Sequence, residues 1–193
     1  MITHTIQHVN DMLEDNSYFF NDIKKEGIML YNSGKYELAS SKNFTPEERK
    51  KKAINSYDKF FRKAVGFLKG SKKYPSEDDF DLNIRAFMLH QACENAFVAA
   101  NLVFKDQRKK LHDLEELERE AASCEPGFLH SFSKETQRDK KIFDLIKKAS
   151  IDARYKDSYQ VSEKDLAEMV IMVEAFHKLT ERLCKKKIEN FVE

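Results

Sequence analysis

Glycine and proline are scarce, 5 and 3 among 193 residues. That scarcity argues against a turn-rich sheet protein and, with charges that are mostly helix-tolerant Lys and Glu, points to an all-α body. Cysteine is sparse too. Cys93, Cys124 and Cys184 form an odd set with no C-x-x-C pair, which speaks against a disulfide framework and a structural zinc site. A reducing, cytoplasmic setting is the corresponding expectation. No charge sign dominates, because 34 basic residues face 33 acidic ones for a net +1. A global field for nucleic acid or an anionic membrane is therefore missing, and any polyanion site must be local. Apolar runs such as Ala99 to Phe104 fall far short of the roughly 20 residues of a membrane span. Met1 leads into His4, Gln7, His8 and Asn10 with no apolar signal segment. The expectation is a protein without membrane contact.

What the chain does have is 41% hydrophobic and 35% charged residues, enough for one buried core with a small appendage. The first 44 residues differ in character from the rest. Helices are expected over Thr5 to Glu14 and Tyr18 to Glu26, followed by Gly27. Then the period changes: Ile28 to Tyr31, the turn Asn32-Ser33-Gly34, and Tyr36 to Ala39 read as a β-hairpin. A lone hairpin is marginal in water, so it needs something to lean on.

After "SSKNF", Thr45-Pro46-Glu47-Glu48 is a capping box with Pro at the first helical position. A helix should run from Pro46 to about Lys72, with Tyr57, Phe60, Phe61 and Leu68 inward and Lys and Arg outward. Ser76 with Asp79 opens a second helix to Phe104, apolar over most of its circumference and suited to the centre of a bundle. The loop "KDQRKK" leads to a short helix from Asp113 to about Ser123, broken by Glu125-Pro126-Gly127. "FLHSF" is a short amphipathic turn. Residues 135 to 155 read as one helix. The last runs from Ser162, with Asp165 closing its cap, to about Phe191 along a near-heptad seam through Leu166, Met169, Val173 and Phe176.

Several constellations can carry chemistry. Gly70-Ser71 with Asp79-Phe80-Asp81 imitates a triphosphate and metal site, but that chemistry needs a strand-to-helix turn, and the surrounding period is helical. Arg85 and His90 keep an R-x4-H spacing found in some helical ribonucleases, yet five helical residues turn by about 140° and put them on different faces. His90 and Glu94 do share a face and read as a buried polar pair. His112 or Asp113 can cap the next helix, beside Lys109 and Lys110 as a possible anion loop. In "DARYKDSY", Arg154 offers a planar fork for phosphate, and Tyr155 and Tyr159 can stack on a base. A solvated helix end is the competing account, and both stay open. The histidines show no metal-ligand spacing, and neither metal nor cofactor is expected.

The segments "AFMLHQACENAF", "KKLHDLEEL", "FLHSFS" and "ASIDARYKDSY", followed by a long Lys-rich helix, resemble the HEPN family, the helical domain named for higher eukaryotes and prokaryotes nucleotide-binding. The leader through "YNSGKYEL" resembles the C-terminal end of a nucleotidyltransferase domain. The resemblance implies residues 1–44 as a remnant of that domain and 45–193 as a HEPN-like up-and-down bundle of four to five helices, with a short N-terminal α/β appendage. It also implies a homodimer and a nucleotidyltransferase partner in cis or trans. The family's ribonuclease branch places Arg, four to six residues, then His. Here Arg154 matches the arginine and Tyr159 stands where the histidine belongs, and a phenol is a poor base at neutral pH. The function expected is noncatalytic binding of a nucleotide or RNA phosphate through Arg154, Tyr155, Tyr159 and His112. The alternatives are a toxin-type, toxin-antitoxin, metal-independent endoribonuclease using Arg85 and His90, or Arg154 with a histidine supplied in trans, and a dimerisation or protein-interaction module.

Overall fold

A computed structural model describes residues 3–15, 17–40, 44–105 and 111–192. They divide into two compact units, Met1–Glu48 and Arg49–Glu193.

In the first unit, α1 (Ile6–Glu14) is capped by the Thr5 side chain, which accepts from the His8 N–H, and α2 (Tyr18–Glu26) follows. The expected hairpin does not form. The reversal itself is built: Gly34 takes φ +73°, and Asn32 Oδ1 accepts from the Gly34 N–H at 2.9 Å. Yet no strand pairs on either side of it, and Ile28 and Leu30 stand 87% and 94% exposed. Two strands with no third element under their apolar faces cannot recover the entropy of ordering them. The backbone beyond the turn is held instead by side chains. Asn10 donates to Glu37 O at 3.1 Å and accepts from the Ala39 N–H at 2.8 Å, and Lys24 donates to Ala39 O at 2.7 Å.

Helix α3 (Pro46–Lys73) starts with the expected box, in which the Thr45 N–H donates to Glu48 Oε2 at 2.9 Å and the Glu48 N–H donates to Thr45 Oγ1 at 3.2 Å. The second unit is all-helical among its described residues. Helix α4 (Asp79–Lys105) lies at its centre and packs on α5 (Leu114–Ala122), α6 (Gln137–Lys148), α7 (Asp152–Tyr155) and α8 (Glu163–Glu189). Small Ala86, Ala92, Ala96, Ala99 and Ala100 on α4 are buried and admit these neighbours closely. The aromatic centre is Phe97 against Phe176 at 4.4 Å, with Phe132 at 4.8 Å from Phe176. The α8 seam through Leu166, Met169, Val173 and Phe176 is buried within this core.

Two boundaries differ from expectation. The cap of α4 is Asp78, which accepts from the Asp81 N–H at 2.9 Å, because Ser76 Oγ is taken by Arg85 Nη1. The single helix over 135 to 155 is broken after Lys148, where Ile151 adopts φ −115° before α7 begins. Gly70 and Ser71 are helical, Ser71 Oγ donates to Leu68 O at 2.8 Å, and Asp79 and Asp81 sit in the first turn of α4. The imitation triphosphate site is thus a helix end and a cap. The loop through Lys109 and Lys110, and the "SSKNF" connector through Lys42, lie outside the described residues.

Candidate functional site

A run of residues on one face of α4 organises the site. Positions 83, 87, 90 and 94 recur at four, three and four, so their side chains share one face over about two to three turns. Each meets a different neighbour. Asn83 Nδ2 donates to Tyr159 O at 3.1 Å, and the ring of Phe87 lies under Arg154, 4.9 Å from centroid to guanidinium carbon. His90 Nδ1 lies 3.0 Å from Ile146 O, and Glu94 Oε1 meets His112 Nδ1 at 3.0 Å.

At one end, Arg154 is exposed on α7. Its Nε donates to Ser150 O at 2.7 Å and Nη2 turns to the same carbonyl. That carbonyl lies just beyond the end of α6, so the guanidinium satisfies a carbonyl the helix break leaves open. Its carbon is also 4.9 Å from the centroid of Tyr155, which is 73% exposed. Nη1 has no partner among the described residues. An arginine set against two rings with an open N–H and an exposed phenol beside it can receive a phosphate and a base together.

Tyr159 is not part of that surface. It is buried, its hydroxyl donates to Leu145 O at 2.8 Å, and burial pushes its phenol well above its ordinary value, with Asp152 and Asp144 adding to the effect. The structure brings Arg154 and Tyr155 together and turns Tyr159 inward beneath them.

At the other end, Glu94 is buried. His112 Nδ1 lies 3.0 Å from Oε1, Gln91 Nε2 donates to Oε2 at 3.1 Å, and His90 Nε2 stands 3.6 Å away, beyond hydrogen-bond length. Burial by itself would raise the Glu94 carboxyl, but the adjacent imidazoles of His90 and His112 outweigh it and hold it below its usual range. Asp113, not His112, caps α5, accepting from the Glu115 and Glu116 N–H groups. His112 is thereby left to Glu94, and its side chain is 74% exposed.

Arg85 and His90 do not meet. Arg85 Nε donates to Ser71 O at 2.6 Å at the end of α3, whereas His90 is fully buried against Ile146. Asn83, Phe87 and Gln91 are contributors that sequence reading missed. Their four-residue spacing was visible, but which face α6 and α7 would cover was not. Among the described residues, no group of three His, Cys, Asp or Glu side chains is placed to hold a metal ion, and no helix is long and apolar enough to cross a membrane.

No curated protein matches the sequence. The family model described as HEPN domain matches residues 57–183, which takes in α4 to α7 whole, α3 from Tyr57 onward and α8 as far as Leu183. The central α4, with the Arg154 surface and the His112 carboxylate pair along one of its faces, lies inside that match, and the chain belongs to the HEPN domain family.

Proposed function

We propose that this HEPN domain binds a nucleotide, free or within RNA, on the exposed Arg154 and Tyr155 surface beside Phe87, and that it does so without catalysing a reaction. The observation that carries the reading is the Arg154 guanidinium against Phe87 and the exposed Tyr155 with Nη1 unpartnered. A ribonuclease mechanism lacks support here, because Tyr159 has committed its hydroxyl to a backbone carbonyl and His90 is sealed from solvent.

The reading includes a nucleotidyltransferase partner, a remnant of such a domain over residues 1–44 ahead of a HEPN bundle over 45–193, and a homodimer. The partner half is supported by the Ile28 to Tyr31 segment, apolar, exposed and in no helix or strand, which fits a surface supplied from elsewhere. Titration calorimetry with ATP, GTP and a short RNA tests the binding. Saturable heat that weakens at least tenfold in Arg154→Ala is expected, and absence of binding at millimolar ligand sinks the reading.

A further inference from the structure

The chain's charge is balanced overall but not in space. Helix α3 carries ten Lys and Arg against Glu47, Glu48 and Asp58, and from Arg49 onward Asp58 is its single acidic side chain. The rest of the molecule therefore runs acidic, since the total is +1. Along the solvent side of α3, Lys59, Arg62, Lys63, Lys69 and Lys73 fall within one sector of about 120° at 3.6 residues per turn and form no ion pair among the described residues. Lys59 and Lys63 lie over the Phe60 ring, at 5.6 and 5.3 Å from its centroid, which holds their stems along the helix.

Beside this stripe runs a groove between α3 and α4, with a cavity of about 640 Å³ lined by Gly66, Phe67, Gly70, Met88, Gln91 and Asn95, with Lys63 at its rim. The two glycines, four residues apart, face the groove and give it its depth. A Cβ at Gly66 would meet nothing within 4 Å, and one at Gly70 would reach only Met88 Sδ at 3.6 Å. The floor is apolar through Phe67 and Met88. The α4 wall is polar in a particular sense. Gln91 Nε2 donates to Glu94 and Asn95 Nδ2 donates to Gln91 O at 2.9 Å, so their side-chain oxygens are left as acceptors. A flat, apolar-faced ligand with exocyclic N–H donors fits that wall, and phosphates fit the stripe.

We propose that this groove and the basic stripe of α3 bind a single-stranded polynucleotide, taking an unstacked adenine or cytosine between Phe67 and Met88 with its amino group on Gln91 or Asn95. The ligand is single-stranded, because only an unpaired base can leave its stack to lie against Phe67 and Met88. The site lies on a different set of residues from the Arg154 surface and extends phosphate binding to a second region of the same unit without depending on the first.

Fluorescence anisotropy of labelled rA12, rC12, rU12 and dA12 with the full chain, across a salt series, tests it. Tighter binding of rA12 and rC12 than of rU12 is expected, with a log–log salt slope of about −2 for roughly three phosphate contacts. The paired substitution Arg62→Glu and Lys63→Glu should weaken binding at least tenfold. Gly66→Leu should fill the groove, abolish base preference and leave the thermal midpoint unchanged or higher, since Leu is the better helix former. Equal rA12 and dA12 binding identifies any single strand as the ligand, and a preference for rA12 identifies RNA; both support the site. Unchanged binding in Gly66→Leu overturns it, as does loss of binding in Arg154→Ala with the α3 variants intact, a result that would leave the nucleotide reading standing. Variants that alter self-association in light scattering but not oligonucleotide affinity would make this face a protein interface and likewise overturn it.

Discussion

His112 Nδ1 lies 3.0 Å from Glu94 Oε1 across 18 residues of chain, tying the exposed start of α5 to the buried middle of α4. Removing the imidazole leaves a buried carboxylate with Gln91 and a more distant His90. His112→Ala should therefore lower unfolding free energy by about 1.5–3 kcal/mol, the range for a hydrogen bond to a charged group. Urea denaturation at pH 7 reads this, and an unchanged midpoint would show that the pair contributes nothing.

Tyr159→Phe separates packing from binding. The hydroxyl donates to Leu145 O where α6 ends, so its loss should cost about 1 kcal/mol. Nucleotide affinity should stay within twofold of wild type by calorimetry, because the phenol does not reach the Arg154 surface. A tenfold loss with unchanged stability would place Tyr159 at the ligand instead.

Acid stability should have an identifiable limb. Burial would raise the Asp165 carboxyl, but hydrogen bonds from Ser162, Lys141 and Arg138 outweigh it and lower it from 3.8 to about 2. A depressed carboxyl contributes stability that is fully present above 3.8 and is lost as pH falls toward about 2. Asp165→Asn should flatten the fall in urea midpoint across that window while leaving the slope above pH 5 unaltered. An equally steep limb in the variant would assign acid sensitivity to other groups.

The three thiols should differ in reactivity. Cys93 and Cys184 are buried, and burial raises both, Cys184 to about 12, so neither supplies thiolate at neutral pH. Cys124 is only partly covered. Ellman's reagent should titrate one thiol in the native protein and three in denaturant, and Cys124→Ser should remove the native signal. Three fast thiols under native conditions would show that the α4 to α8 packing opens readily.

Local signals were read well where both partners lie within one turn. The Thr45 and Glu48 box and the Ser162 and Asp165 box form as the sequence indicates, because capping is decided over three residues. The Ser76 cap failed for a nonlocal reason, since Arg85 reaches back from the next two turns of α4 and occupies its hydroxyl. The hairpin failed because turn chemistry is local but strand pairing needs a surface to cover. Of the site, the motif "DARYKDSY" was legible as unusual, but its tyrosines were indistinguishable in sequence. The break after Lys148 sends Tyr159 inward and leaves Tyr155 outside with Arg154.

Composition, period and caps act through neighbours along the chain, so the helical body, its capped starts, the apolar α4 and the basic outer side of α3 follow from the order of residues. Tertiary structure alone decided which tyrosine is buried, that His112 faces Glu94 and that Arg85 and His90 part, because those outcomes depend on which helix covers each face of α4.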